Sequence, residues 1–152
     1  MRVLLLHGPN LNRLGKRDPT VYGRVTLEEI VAAVTDAGKD LGIEVMAFQS
    51  NHEGELIDRL QAEGDRTDAI IINPGGLAHY SVALRDALDD TGRPVVEVHI
   101  SNPSAREPFR HALVTATIAM KVIAGKGAAG YLEALTFVAE RHRGRQAGPA
   151  SR

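Results

Sequence analysis

The chain has 152 residues, 43% hydrophobic and 24% charged, with a formal net charge of -1, which predicts one globular domain with a sizeable core rather than a disordered chain. The near-neutral balance removes the bulk electrostatic case for nucleic acid or an anionic membrane as partner. There is no cysteine, which excludes disulfides, thiolate metal sites and a cysteine nucleophile and is compatible with a cytoplasmic location.

The chain opens on a short apolar run, Val3–Leu6, too short for a signal peptide and read as a first strand. No run reaches the ~20 apolar residues of a membrane span. A loop without periodicity fills Gly8 to Val25. Loops that long in compact domains are usually functional lids or disordered. A helix over Thr26–Leu41 follows, with Leu27, Ile30, Val31, Val34 and Leu41 near one stripe. Thr26 and Glu29 have capping-box spacing, and Gly42 stops the helix. Strand two is Ile43–Phe48. The pattern over Asn51–Ala62 predicts a helix capped by Ser50 or Asn51. Ala69–Ile72 is strand three, Ser81–Leu88 a helix closed by Thr91-Gly92 and Pro94, and Val95–Val98 strand four. A fifth apolar run, Thr117–Ile123, precedes Gly125-Lys126-Gly127. The last helix spans about Ala128–Arg141 and ends in cations, which suit a helix C-terminus. The domain is placed at residues 1–142, with residues 143–152 as a disordered tail.

The strand runs are short, rich in Val and Ile, and not polar at alternate positions. That suits parallel strands buried on both faces. Alternation with helices predicts a three-layer α/β domain with a five-stranded parallel sheet. Right-handed crossovers gather the strands' C-terminal exits along one edge. Four exits carry polar residues: His7-Gly8-Pro9-Asn10, Gln49-Ser50-Asn51-His52, Asn73-Pro74-Gly75 through His79, and Glu97-Val98-His99-Ile100-Ser101. Turn chemistry explains any one of them. Four together predict a crevice built from distant segments.

Two groups there have catalytic character. Tyr22 shares the long loop with Arg17 and Arg24, and a phenol beside guanidinium charges can act as a base. Glu97 and His99 alternate onto one strand face, where a carboxylate can orient an imidazole acid. Nucleotide-binding glycine motifs, HExxH and GxSxG are absent. The histidine spacings match no metal-ligand pattern. There are only four lysines, and none is placed at a strand exit, which argues against a Schiff base.

The loops resemble those of the type II 3-dehydroquinate dehydratases. The resemblance rests on Gly8-Pro9-Asn10-Leu11-Asn12-x-Leu14-Gly15-x-Arg17-Asp18-Pro19-x-x-Tyr22-Gly23, on Gln49-Ser50-Asn51-x-Glu53-Gly54 and on Asn73-Pro74-Gly75. It continues in His79-x-Ser81-Val82-Ala83-Leu84-Arg85-Asp86-Ala87, Glu97 to Asn102, Arg106-Glu107-x-Phe109-Arg110 and Gly125-x-Gly127-x-x-Gly130-Tyr131. The motifs keep their order over about residues 3–141. The resemblance implies a flavodoxin-like fold and a lyase that converts 3-dehydroquinate to 3-dehydroshikimate. The step would be an anti elimination through an enolate, without metal or cofactor, in aromatic amino-acid biosynthesis or quinate catabolism. It implies Tyr22 as base, supported by Arg17, and His99 as acid, oriented by Glu97. Asn10 would hold a water on the enolate oxygen. Asn73, His79 and Arg110 would bind hydroxyls, and Ile100 and Ser101 the carboxylate. Asp86 would reach a neighbouring subunit's site in a dodecamer of four trimers. The chain departs from the family pattern at Leu77, at Ala112-Leu113-Val114, and at Lys121 and Lys126.

Two other classes remain open from the residues alone. One is a flavodoxin-like module that binds an anionic metabolite without turnover; binding needs no base, acid and orienting carboxylate together. The other is a phosphate receiver or flavin carrier. Against it, strand one ends in His7-Gly8, strand three in Asn73, and tryptophan is absent.

Overall fold

The computed structural model describes residues 1–147. Five strands run β1 (Arg2–His7), β2 (Glu44–Gln49), β3 (Ala69–Asn73), β4 (Val95–His99) and β5 (Lys121–Ala124). All pair in parallel, in the order β2-β1-β3-β4-β5, the flavodoxin-like winding. The helices are α1 (Pro19–Tyr22), α2 (Leu27–Asp40), α3 (Glu53–Glu63), α4 (Val82–Asp90) and α5 (Ala129–Gln146).

Strand alternation divides the core in two. Val3, Leu5, Ile71, Val96 and Val98 face α2 and α5, where Ile30, Val34, Leu135 and Val138 meet them. Leu4, Leu6, Ile70, Ile72 and Val95 face α3 and α4, against Leu56, Leu60, Leu84 and Leu88. Helices on both sides explain why β1 and β3 read as apolar runs and why β4 is apolar apart from Glu97 and His99. The outer strands β2 and β5 are only partly buried, because each has a neighbour on one side alone.

Element boundaries mostly follow the expected ones, with local corrections. The Thr26–Glu29 capping box forms in full, and Ser81 caps α4 by accepting from the Leu84 amide at 3.0 Å. Helix α3 starts later than expected, after His52, and neither Ser50 nor Asn51 is its cap residue. The Asn51 side chain instead accepts from the Asn10 amide at 2.9 Å, tying the β2 exit to the first loop. That loop is not featureless. Leu11 and Leu14 are buried in the α2–α5 core, and α1 is capped by Asp18, which accepts from Thr20. Helix α5 continues to Gln146, so the first residues of the expected tail are helical; residues 148–152 lie outside the described residues.

Two loops at the C-terminal edge of the sheet press together. The Gly8 amide donates to the Asn73 carbonyl at 2.8 Å, and a Cβ on Gly8 would stand 2.3 Å from the Pro74 carbonyl oxygen. Gly8→Ala should therefore lower stability by about 1–3 kcal/mol, as overpacking does. Gly54 in α3 has open space around it, so Gly54→Ala should be neutral or stabilising. Urea unfolding of both variants checks the contrast.

Candidate active site

A cavity of about 180 Å³ opens where the β1, β3 and β4 exits meet the first loop. Asn10, Arg17, Tyr22, Asn73, His79, His99, Ile100, Ser101 and Arg110 all line it. These come from segments up to 100 residues apart, brought together because parallel strands end on one edge.

Glu97 lies behind His99. It is 0% exposed, and its Oε1 sits 2.6 Å from His99 Nε2. Alternation from Val95 puts both side chains on the α3–α4 face. His99 Nδ1 makes no hydrogen bond to the described residues and is not sealed off, leaving it available to a ligand. Glu97 Oε2 accepts from the Thr115 hydroxyl at 2.7 Å.

The second group is Tyr22, at the end of α1. Its hydroxyl oxygen accepts from Arg17 Nη2 at 2.9 Å and from Arg106 Nη1 at 3.0 Å. The Arg17 guanidinium also lies 3.8 Å from the centre of the Tyr22 ring. Arg106 reaches Ser101 Oγ at 3.4 Å as well. Two cations thus converge on one phenolic oxygen, in the wall of a cavity that also holds His99.

The floor is a neutral polar cluster on the opposite sheet face. His7 and Asn73 are register partners at the ends of β1 and β3. Asn73 Oδ1 accepts from the Gly75 amide at 3.1 Å, while its Nδ2 donates to the Tyr131 hydroxyl at 2.9 Å. Tyr131 OH is 3.4 Å from His7 Nδ1. Burial pushes the Tyr131 hydroxyl's pKa up and that of His7 down to about 4. His7 Nε2 is buried without a partner.

Some expected residues lie elsewhere. The β2 exit does not line the cavity: Asn51 braces the first loop, and His52 is exposed ahead of α3. Asp86 is exposed on α4, paired with Arg85, and away from this chain's own cavity. Lys126 does follow β5, yet both it and Lys121 are held by Glu133 of α5; these two departures from the family pattern thus form one ion-pair cluster. Among the described residues, no three histidine or acidic side chains gather as metal ligands. Among the polar residues of the site, Arg106, Thr115 and Tyr131 were not expected from the sequence. Arg106 and Tyr131 stood in quoted motifs, but only the fold shows what they touch. Thr115 carried no signal at all.

The Dehydroquinase class II family model matches residues 1–139. The chain belongs to the class II dehydroquinase family. A 3-dehydroquinate dehydratase from Roseiflexus castenholzii is 54% identical over 138 residues, covering 91% of this chain and 88% of the relative. A 3-dehydroquinate dehydratase 2 from Corynebacterium efficiens is 54% identical over 145 residues, covering 94% of this chain and all of the relative. The crystal structure of a type II dehydroquinase from Butyrivibrio crossotus superposes with a TM-score of 0.89 at 44% identity, over 91% of this chain and 97% of that one. Of the segments that carried the resemblance, those around Asn10 to Tyr22, Asn73 to His79, His99 to Ser101 and Arg106 to Arg110 wall the cavity of this dehydroquinase family member, while Gln49–Gly54 and Gly125–Tyr131 do not line it. No helix among the described residues is long and apolar enough to cross a membrane.

The buried His7 predicts an acid limb to stability. Its pKa in the fold is lower than in the unfolded chain, so below about 6.5 the unfolded state takes up the proton and the fold does not. Stability contributed by the neutral ring is full above that pH and is lost as pH falls toward 4, by up to about 1.4 kcal/mol per unit. Urea midpoints between pH 7 and 4 should fall less steeply in His7→Asn than in the parent chain. Equal slopes would show that His7 does not carry the effect.

Proposed function

We propose that this chain dehydrates 3-dehydroquinate to 3-dehydroshikimate by anti elimination, with Tyr22 as base and His99 as acid. The observation that carries the proposal is the pairing of two built groups on one cavity: a phenolic oxygen held by two guanidinium donors, and an imidazole backed by a buried carboxylate.

Tyr22, as phenolate, takes the C2 proton beside the ketone. The electron pair moves onto the ketone oxygen as an enolate, which preorganised donors must stabilise. Asn10 supports that oxygen through a water. The C1–O bond then breaks as the enolate collapses, and His99 delivers the proton that lets the hydroxyl leave as water. The proton held by Tyr22 returns to solvent, and His99 is reprotonated, so the net reaction is loss of one water. Arg17 and Arg106 hold the phenolic oxygen in place with two donated hydrogen bonds. Glu97 balances the imidazolium and fixes its orientation.

The remaining lining residues suit a polyhydroxylated ring acid. Asn73, His79 and Arg110 are read as hydroxyl ligands. The His79 Nδ1–H donates to the Ala112 carbonyl at 2.9 Å, leaving Nε2 for the ligand. Ser101 and the Ile100–Ser101 backbone are read as the carboxylate site. The reaction as drawn needs no metal or cofactor. The elimination serves aromatic amino-acid biosynthesis or quinate catabolism, in the cytoplasm. The assembly is read as four trimers, in which Asp86 reaches a neighbour's cavity; its exposed position on α4 supports that role.

Tyr22→Phe and His99→Ala should each lower turnover of 3-dehydroquinate by about a hundred- to ten-thousandfold, followed by absorbance of the conjugated enone. Tyr22→Phe should still bind an enolate-mimicking inhibitor, because only one oxygen is lost. Glu97→Gln should cost less than His99→Ala. Near-normal rates in either of the first two variants would reject that residue's role. EDTA should leave the rate unchanged, and borohydride with substrate should not inactivate; a lysine adduct would overturn the enolate route.

A further inference from the structure

Glu97 presents an unusual burden. It is completely buried, in register with Ile72 of β3 on one side and Val122 of β5 on the other. A carboxylate in such a place needs a partner on each oxygen, because an unmet buried acceptor is costly. His99 Nε2 meets Oε1, and among the described residues the Thr115 hydroxyl alone meets Oε2. Thr115 is itself 0% exposed. Its hydroxyl has no other acceptor among the described residues, so its one proton is committed to the carboxylate.

The backbone around Thr115 is also fixed. Thr115 opens a 3₁₀ turn, Thr115–Ile118, packed on α4. The Val114 amide just before it donates to the Ala78 carbonyl at 2.7 Å, and Ala112 accepts from His79. The segment therefore clamps two parts of the cavity wall at once, the His79 loop and the Glu97–His99 pair. A β-branched side chain adds stiffness, since its χ1 is restricted.

We propose that Thr115 is a positioning residue for the acid: its hydroxyl fixes the Glu97 carboxylate so that Oε1 stays on His99 Nε2 and Nδ1 stays toward the substrate. Thr115 acts through Glu97 and touches no reacting atom. The inference rests on the reading of His99 as the acid.

The test uses the full chain with Thr115→Val, which keeps the shape and removes the hydroxyl, and with the pair Thr115→Ser and Thr115→Ala, which differ from each other by that hydroxyl alone. Thr115→Val and Thr115→Ala should lower kcat by about ten- to a hundredfold, the effect of one unmet buried acceptor, with KM little changed. Thr115→Ser should recover most of kcat. In a Glu97→Gln background, Thr115→Val should add little, because the two act through one contact. If Thr115→Val fails to fold, the Ser and Ala pair decides the matter. Long-range ¹H–¹⁵N NMR of the His99 ring gives a readout independent of turnover: the Nε2–H signature should persist in Thr115→Ser and change in Thr115→Ala. Equal losses in Ser and Ala variants would assign the effect to packing and overturn the proposal, as would an unchanged kcat and ring signature in both. Full activity in His99→Ala would instead sink the acid assignment, and the NMR comparison would then judge Thr115 alone.

Discussion

A carboxyl group in the middle of a parallel sheet is tolerated only when its surroundings answer both oxygens. Glu97 is such a group, and much of the site follows from answering it. One oxygen meets His99, two residues along on the same strand face; the other meets Thr115, from a turn beyond the next loops. The first partner is supplied by strand periodicity alone. The second requires the chain to leave β4, pass through Arg106 and Arg110, and return across α4. That detour carries the arginine that reaches Tyr22. Meeting a buried carboxyl group and walling the cavity are thus accomplished by the same excursion.

The two sheet faces divide the work at the cavity edge. The α3–α4 face carries the hydrogen-bonded Glu97–His99 pair. The α2–α5 face carries a neutral cluster, His7, Asn73 and Tyr131, whose burial favours uncharged forms of its titratable members. Its hydrogen bonds settle which end of the Asn73 amide is which. The Gly75 amide claims the oxygen, so the nitrogen must face Tyr131. A side chain held in this way stands in the cavity wall already oriented, which limits the entropy it would lose on meeting a ligand.

The first loop shows a related economy. Leu11 and Leu14 anchor its beginning in the core, and a capped turn of helix, α1, presents Tyr22 at its end. Beyond Leu14, Lys16 and Asp18 to Thr20 are exposed, with Arg17 half-buried. The segment is thus fixed at its root and lightly held beyond it, an arrangement suited to a lid.

The alternation of short Val- and Ile-rich runs with capped amphipathic patterns was enough to establish a doubly wound parallel sheet, because periodicity and capping are local properties. The same locality made Glu97 and His99 legible as a pair, since residues two apart on a strand share a face. The ordered motifs made the family legible. Tertiary structure decided what lies between segments. It removed the β2 exit from the cavity wall, since an edge strand's residues went to bracing Asn10. It carried α5 past Arg141, brought Arg106 onto Tyr22 across 84 residues, and set Thr115 beneath Glu97. None of these has a sequence period or spacing of its own. Each depends on where a loop returns after packing on the sheet, and that is a property of the folded chain.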